Sequence, residues 1–231
     1  AGIIQAMADL TGSAYFQFYV GADIMDSKNN IFQLHQGGIG LGQKEYYLED
    51  DEATKNIREG YKAHIVKMFQ LIGQDEKQAT KSMEAVMEIE TKLAKKSFSA
   101  VELRNPAANY HMLTLDELKK EIAGFDWEAY LNAVGVKGVT SLNVSQIEPV
   151  QEAVAIINTL PLDKQKAYLQ WKLVDGAASY LSDAFVAQDF EFYGKVMSGK
   201  KEDQPRWKKA VGTVNGVLGE AVGQMYVEKY F

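Results

Sequence analysis

Apolar residues that recur at intervals of three and four constrain the fold of this chain more than any other feature. In the first such segment, from about residue 51, they are Ile57, Tyr61, His64, Ile65, Met68, Phe69 and Ile72. This spacing places them on one face of an α-helix, and Gly73 is predicted to end that helix. Asp75 and Gln78 then resemble a capping box that opens a second helix with its own apolar stripe. The two helices are expected to form an antiparallel pair.

Further helices are predicted from start signals and from the same period. Thr114 and Glu117 have the spacing of a capping box, which fixes a helix start at that point. Other helices are expected at residues 126–134, 147–159 and 163–197. The last of these carries apolar side chains around much of its circumference, so it is expected to be central.

The amino-terminal part of the chain has a different pattern. Residues 3–12 indicate a short helix, whereas residues 15–20 and 30–34 are typical of two neighbouring strands joined by a hairpin connection at 26–30. Glycines at positions 37, 38, 40 and 42 predict a loop that approaches other backbone closely. The expected fold class is mainly α, a multi-helix domain with a small β element near the amino terminus, forming a single domain over residues 1–231.

The last helical segment contains Gly212, Gly216, Gly219 and Gly223, which include two pairs at four-residue spacing. Glycine in a helix costs about 1 kcal/mol relative to alanine. A close helix crossing at these glycines is the expected compensation, and Gly216→Leu is then expected to destabilise the domain.

Composition excludes several classes of protein. A formal net charge of −6 argues against non-specific nucleic-acid binding, because phosphate neutralisation needs concentrated Lys and Arg. The sequence has no cysteine, which removes disulfides and thiolate ligands. Its first residues lack the basic start and long apolar stretch of a signal peptide, which leaves open a chain trimmed from an exported precursor, and no run approaches the roughly 18 apolar residues of a membrane span. Its first residue is Ala, and a helical pattern continues to Phe231, so both ends are interpreted as cuts.

No catalytic chemistry is recognisable in the residues. His35, His64 and His111 are dispersed, and none begins the H-E-x-x-H pattern that brings two imidazoles to one zinc ion. The glycine loop lacks the Lys-Ser/Thr pair of a phosphate loop. A serine nucleophile elbow is also missing, and no carboxylate pair can be placed at catalytic separation from sequence. We therefore predict no catalytic, cofactor-binding or metal-binding residue in this chain.

The segment Arg104-Asn105-Pro106 allows two interpretations. In the structural one, Pro106 forces Asn105 toward extended geometry and Arg104 fixes carbonyls or a carboxylate in a loop between helices. In the functional one, Arg104 recognises the carboxylate of a substrate. Tyr46, Tyr47 and Tyr110 are likewise either cavity-lining or core residues.

Several short motifs, taken in order, carry a resemblance to a known family. They are Val20-Gly21-Ala22-Asp23, Gly37-Gly38-Ile39-Gly40-Leu41, Tyr46-Tyr47, Arg104-Asn105-Pro106 with Tyr110, Arg206-Trp207, and the tail from Gly219 to Phe231. In order and spacing they resemble the non-catalytic helical domain of the neprilysin and endothelin-converting-enzyme family of zinc metalloendopeptidases. The lack of cysteine suggests a bacterial-type member. The resemblance covers about residues 16–231 and ends before any catalytic motif.

The resemblance implies a cap domain that restricts entry to short peptides. Zinc and the catalytic residues are then expected in a catalytic domain absent from this chain, which is the implied partner together with peptide substrates. The chain alone is expected to be inactive, to expose an apolar surface that promotes self-association, and to come from an extracytoplasmic protein. The alternative is a free-standing helical binding module without catalytic role.

Overall fold

The computed structural model describes residues 2–9 and 14–231. Its helices are α1 (Gly2–Asp9), α2 (Glu45–Leu48), α3 (Glu52–Leu71), α4 (Glu76–Lys96), α5 (Leu115–Glu121), α6 (Trp127–Ala133), α7 (Ile147–Thr159), α8 (Leu162–Ala177), α9 (Asp183–Asp189), α10 (Arg206–Val217) and α11 (Gly219–Tyr230). The strands are β1 (Phe16–Ala22), β2 (Asn30–Gln36), β3 (Met112–Thr114) and β4 (Ser141–Val144). The predicted fold class, mainly α with a small β element, is confirmed. Residues 10–12 of the predicted first helix lie outside the described residues.

The four strands form one sheet in the order β1-β2-β4-β3. β1 and β2 are the predicted antiparallel hairpin, with Phe16 opposite Gln36 and Ala22 opposite Asn30. β2 also pairs in parallel with β4, which comes much later in the chain. β3 pairs antiparallel with β4 and closes the sheet on that side.

The two faces of the sheet differ because side chains alternate along a strand. One face carries Phe16, Phe18 and Leu34, and the ring of Phe16 lies 5.7 Å from that of Trp127 and 5.3 Å from that of Tyr130. These contacts join the sheet to α6 in an aromatic core. The opposite face carries the polar side chains Gln33 and Asn143, and Asn143 donates a hydrogen bond to the Asn109 carbonyl in the segment between α4 and β3.

The helical layer is built around α4, which contacts α3, α7 and α8. Asp51 caps α3 by accepting a hydrogen bond from the Thr54 amide, and Asp75 caps α4 by accepting one from the Gln78 amide. Between the two helices, Gly73 has a φ of +97°, which glycine adopts without strain. The predicted helix pair and its turn are confirmed. The capping box at Thr114 and Glu117 is also present.

The prediction of one helix over residues 163–197 is wrong. α8 ends at Ala177, a 3₁₀ turn follows at Ala178–Tyr180, and Leu181 is extended before α9 begins. α9 then passes into a π-helical turn at Phe190–Val196. Ser182 and Asp183 are residues typical of a helix start. Neither a Pro nor a run of charges, however, marks the break between α8 and α9 in the sequence. α8 is nevertheless central, since Trp171 is fully buried.

The chain divides into two compact units, residues 1–189 and residues 190–231. The second unit consists of the π-helical turn, α10 and α11. The expected close crossing at its glycines is wrong for the described chain: a Cβ added to Gly212, Gly216, Gly219 or Gly223 would meet no atom within 4 Å. The basis for the expected effect of Gly216→Leu is thereby removed. None of the helices formed by the described residues is long and apolar enough to cross a membrane.

Candidate functional site

A polar cluster lies on the second face of the sheet, centred on Asn143 of β4. Its side-chain amide donates hydrogen bonds to Gln33 Oε1 at 2.8 Å and to Ser145 Oγ at 3.1 Å. Its oxygen accepts one from the His111 backbone amide at 2.7 Å. Asn143, Gln33 and Ser145 are all buried. Because each polar group is paired, the cluster joins β2, β4 and the chain before β3 without an unsatisfied group at its centre.

The loop that carries the Arg104-Asn105-Pro106 motif contacts this cluster, since the Asn143 side-chain amide lies 3.4 Å from the Asn109 carbonyl oxygen. Asn105 is extended, as Pro106 requires, and its side chain accepts a hydrogen bond from the Ala108 amide at 3.3 Å. The side-chain amide of Asn109 donates to the carbonyls of Glu102 and Asn105 at 2.9 and 2.7 Å. The motif therefore folds into two short 3₁₀ turns that are held mainly by asparagine side chains.

Arg104 does not have the structural role predicted for it. Its side chain is exposed, and no hydrogen bond or ion pair of its guanidinium is found among the described residues. The expectation that Arg104 fixes carbonyls or a carboxylate is therefore not supported. Tyr110, in contrast, is anchored, because its hydroxyl donates to the Asp23 carboxylate at 2.9 Å. Two motifs that are far apart in the sequence thus meet directly.

A second buried cluster surrounds Glu90 of α4, which is completely inaccessible to solvent. Tyr47 donates its hydroxyl proton to Glu90 Oε2 at 2.6 Å, and Tyr61 does so at 3.0 Å. Each hydroxyl also accepts a hydrogen bond, from the Leu41 amide at 2.9 Å and from Trp171 Nε1 at 3.1 Å. Each N–H group occupies one lone pair of its hydroxyl, and the carboxyl group of Glu90 accepts both hydroxyl protons.

The glycine loop is part of this second cluster. The Gly40 backbone amide favours the ionised form of Glu90 and so lowers its pKa. A Cβ at Gly40 would lie 1.9 Å from the Tyr61 hydroxyl, and one at Gly38 would lie 2.7 Å from that of Tyr168. Gly40 and Gly38 therefore leave room for the hydroxyl groups of Tyr61 and Tyr168 as well as for neighbouring backbone. The Leu41 amide already donates to the Tyr47 hydroxyl at 2.9 Å, so it is not available to a phosphate group.

The charges around Glu90 have opposing effects on its pKa. Burial raises the pKa of Glu90 from its ordinary value of 4.5, while Lys172 and the hydrogen bonds from Tyr47, Tyr61 and Gly40 lower it, leaving a net increase. Burial beside this carboxyl group raises the pKa of Tyr47 well above its ordinary value. The carboxyl group is sealed from solvent, so it can stabilise the fold but cannot reach a substrate.

The three histidines are held by three different environments. His35 stacks on Tyr19 with ring centres 5.0 Å apart, and burial lowers its pKa. His111 Nδ1 lies 3.0 Å from the Val144 carbonyl. His64 is buried, with Nε2 at 3.6 Å from an Asp175 carboxylate oxygen.

These environments do not form a metal site. In residues 2–9 and 14–231, no group of three or more His, Asp or Glu side chains could hold a metal ion. A catalytic zinc site needs three protein ligands around one ion. The side chains of the described residues do not supply such a set of three.

Glu90 and Asn143 are the central residues that sequence reasoning missed. A signal for Glu90 existed, because it lies on the buried stripe of α4 together with Val86, Leu93 and Ala94. A carboxyl group on such a stripe needs buried hydrogen-bond partners. Asn143 had no comparable signal, since two of its partners, Gln33 and the His111 amide, come from distant segments. Of the tyrosines, Tyr47 is a core residue, while Tyr46 and Tyr110 are partly exposed.

Comparison with known proteins matches the whole chain to one protein family. The family model described as Peptidase family M13 matches residues 1–231. Endothelin-converting enzyme 1 of Rattus norvegicus is 30% identical over 228 residues, which are 95% of this chain and 29% of that protein. The human enzyme is 29% identical over the same length. The chain therefore spans less than a third of these curated relatives.

Two solved structures match this chain over almost its whole length. The crystal structure of the Mycobacterium tuberculosis zinc metalloprotease Zmp1 in complex with an inhibitor matches with a TM-score of 0.93 and 31% identity, covering 99% of this chain and 36% of that chain. PepO of Lactobacillus rhamnosis HN001 matches with a TM-score of 0.79 at 20% identity, covering 99% of this chain and 36% of that chain. The second likeness shows the fold alone.

Proposed function

Because this chain belongs to peptidase family M13, we propose that it is the non-catalytic helical cap of a zinc-dependent metalloendopeptidase that hydrolyses short peptides. The observation that carries the proposal is the match of the family model to every residue from 1 to 231. In the proposed enzyme, zinc-activated water cleaves the peptide bond in a part of the polypeptide that this chain does not include. No step of that reaction is assigned to residues of this chain.

The proposed contribution of the cap is steric. A cap selects substrates by size only if it keeps its shape when a large polypeptide presses against it. The two buried polar clusters supply such stiffness. Glu90 of α4 binds Tyr47 of α2 and Tyr61 of α3, and Asn143 joins β4 to β2. Networks whose members are all paired make a structure rigid and unique.

The assignment of catalysis to the remaining polypeptide is tested by activity. The 231-residue chain, incubated with zinc and a quenched peptide library, is expected to give no specific cleavage. The longer polypeptide that contains it is expected to cleave the library, to lose activity on chelation, and to regain it with zinc. Zinc-dependent turnover by the 231-residue chain alone would contradict the proposal.

The steric role is tested by substrate length. With the longer polypeptide, kcat/KM per cleavable bond is expected to fall steeply from short peptides to an unfolded protein of the size of this chain. The cleavable sequence is kept the same in both, so that the comparison isolates length. Equal rates per bond on both substrates would rule out a size-selecting cap.

The location of the protein is also proposed from its family, as extracytoplasmic. Fractionation of cells that produce the longer polypeptide, followed by immunodetection of this chain, provides the test. Recovery in the cytoplasmic fraction alone would contradict it.

A further inference from the structure

β1 forms an outer edge of the sheet, since it stands first in the order β1-β2-β4-β3 and has β2 as its only strand partner among the described residues. Just beyond the strand, the Asp23 amide donates to the Asn29 carbonyl at 2.8 Å, in the register of the strand pair. Hydrogen-bonded and non-hydrogen-bonded pairs alternate along an antiparallel ladder. The backbone N–H and C=O groups of Phe18, Val20 and Ala22 therefore point away from β2.

The carbonyl of Leu34 supports this assignment. It accepts a hydrogen bond from the Ser145 amide at 2.8 Å, on the β4 side of β2. Since Leu34 lies opposite Phe18, this pair is one that does not exchange hydrogen bonds between β1 and β2. Within residues 14–189, no other backbone or side-chain group bonds to the outward N–H and C=O groups of Phe18, Val20 and Ala22. We call the backbone groups of these three residues the β1 edge.

The β1 edge lacks the features that usually prevent the addition of another strand. Natural edge strands are guarded by charged side chains, by Pro or by a β-bulge. β1 has the sequence FQFYVGA, without a charge or a Pro, and its pairing with β2 is continuous from Phe16 to Ala22. Tyr19 and Val20 are 51% and 56% exposed. The edge is therefore uncharged, and it is uncovered within residues 14–189.

The strand that carries this edge is held on both faces of the sheet. The Phe18 ring stacks on that of Phe32 with ring centres 5.0 Å apart, and the Tyr19 ring stacks on that of His35 at the same distance. Successive side chains point to opposite faces of a sheet, so these two stacks fix β1 from both sides. A partner that binds to an ordered strand avoids the entropy cost of ordering it.

We infer that the β1 edge binds a short peptide in an extended conformation, which adds a fifth strand to the four-stranded sheet. The inference rests on the proposed function, because that function brings short peptides to this chain. The N–H and C=O groups of the edge bond to the main chain of the peptide, so they accept many sequences. The exposed side chains of Tyr19 and Val20 favour β-branched and aromatic residues at alternate positions of the peptide.

A second copy of this chain is the competing occupant of the β1 edge. Residues 18–22 span about 14 Å and a sheet is about 10 Å thick, so a strand contact there covers about 140 Å² on each partner. A stable protein–protein interface needs about 500 Å² or more on each partner. The net charge of −6 on each copy also opposes association. A peptide of about five residues matches the length of the edge, so we commit to a short peptide.

An NMR titration of the 231-residue chain tests this inference. The probe is the pentapeptide Thr-Val-Thr-Val-Thr, acetylated and amidated to remove its terminal charges. It is expected to shift the amide signals of Phe18, Val20 and Ala22, with half-saturation at about 1 mM or below. At about ten times that concentration, hydrogen exchange of these amides is expected to slow about tenfold. The fully N-methylated pentapeptide has no N–H donor and is expected to produce neither effect.

Val20→Pro makes the complementary change in the protein. Proline removes only the outward N–H of residue 20, which an edge strand tolerates, so the chain is expected to fold and to bind the pentapeptide at least about tenfold more weakly. Val20→Thr is the matched control: it keeps the N–H and the β-branched shape, and its binding is expected to stay within about twofold of the wild type. If Val20→Pro does not fold, the N-methylated peptide decides, because it leaves the protein unchanged.

The other outcomes are also decisive. The inference is overturned if the three amides do not shift at about 10 mM peptide, or if the N-methylated peptide or the Val20→Pro chain binds equally well. Protection of β1 that rises with protein concentration, without peptide, identifies a second copy as the occupant and also overturns it.

The titration is repeated with the longer polypeptide, where loss of the effect would show that other parts of that polypeptide cover the edge, and would overturn the inference. Zinc-dependent cleavage by the same preparation separates the two levels. Cleavage without peptide binding at β1 refutes only this inference, whereas absent cleavage refutes the proposed function.

Discussion

Gly40 is the position at which a single added methyl group should do most damage. Its Cβ would lie 1.9 Å from the Tyr61 hydroxyl, which donates to the buried Glu90. The two atoms cannot both keep their places, so either the loop or the hydrogen-bond cluster must shift. The requirement for glycine at position 40 therefore comes from the neighbouring Tyr61 side chain and not from a turn conformation.

We expect Gly40→Ala to lower the free energy of unfolding by about 2–4 kcal/mol, the combined cost of overpacking and of disturbed buried hydrogen bonds. Gly176→Ala is the matched control, because it makes the same chemical change near the end of α8, where a Cβ meets no atom within 4 Å. That control is expected to be neutral or stabilising by up to about 1 kcal/mol. Urea denaturation measures both, and equal effects would disprove the steric explanation.

The raised pKa of Glu90 predicts how the stability of the protein depends on pH. Its pKa is raised in the folded state above the ordinary value of 4.5. The stability contributed by the bound proton is fully present below 4.5 and is lost as the pH rises through the folded pKa. Glu90→Gln removes this titration, so its free energy of unfolding relative to the wild type is expected to increase as the pH rises across that window.

Denaturation of both proteins between about pH 5 and about pH 8 measures this difference. Glu84→Gln, on the exposed side of the same helix, is the control and is expected to show no such trend. A difference between Glu90→Gln and the wild type that stays constant with pH would show that Glu90 keeps one protonation state in both folded and unfolded protein.

At the scale of elements, Asn143 connects β4 to β2 and to the chain before β3. We expect Asn143→Ala to destabilise the protein by about 2–4 kcal/mol, because it leaves the buried Gln33 oxygen and the His111 amide without their partner. Asn158→Ala is the control: it removes one exposed hydrogen bond, to the Gly124 carbonyl, and should cost about 0.5–1.5 kcal/mol. Similar losses measured by thermal denaturation would contradict a central role for Asn143.

The elements that the sequence predicted correctly are those fixed by neighbouring residues. The hairpin, the capping box at Thr114 and the turn at Gly73 depend on residues within a few positions of one another. The break after Ala177 was missed because the apolar period continues through it, although Ser182 and Asp183 were a local start signal. The Glu90 and Asn143 clusters were missed because they join residues far apart in the chain, which no local pattern specifies.

At the scale of the whole molecule, the family resemblance carried by scattered motifs is confirmed by the match over residues 1–231. Hydrogen bonds also connect the motifs physically, since Tyr110 donates to Asp23 and the Leu41 amide donates to Tyr47. The single-domain prediction stays a prediction. The self-association expected from an exposed apolar surface also stays a prediction.

The division into two compact units predicts unequal local stability. Residues 1–189 contain the aromatic core and both polar clusters, whereas α10 and α11 bury no residue. Elements with few buried contacts open at low free energy. Limited proteolysis of the 231-residue chain, followed by mass spectrometry, is therefore expected to cut first between residues 197 and 231. Initial cleavage within α3 or α4 would contradict this distribution of stability.

The parallel pairing of β2 with β4 has a consequence during synthesis. Gln33 and Asn143, which lie side by side in the finished sheet, are separated by 110 positions. At about 5–20 residues per second, the ribosome needs roughly 5–20 s to deliver the second strand after the first. Throughout that interval the nascent hairpin has a bare edge that can recruit a foreign strand, so this protein should depend on chaperone protection most strongly before residue 141 leaves the exit tunnel.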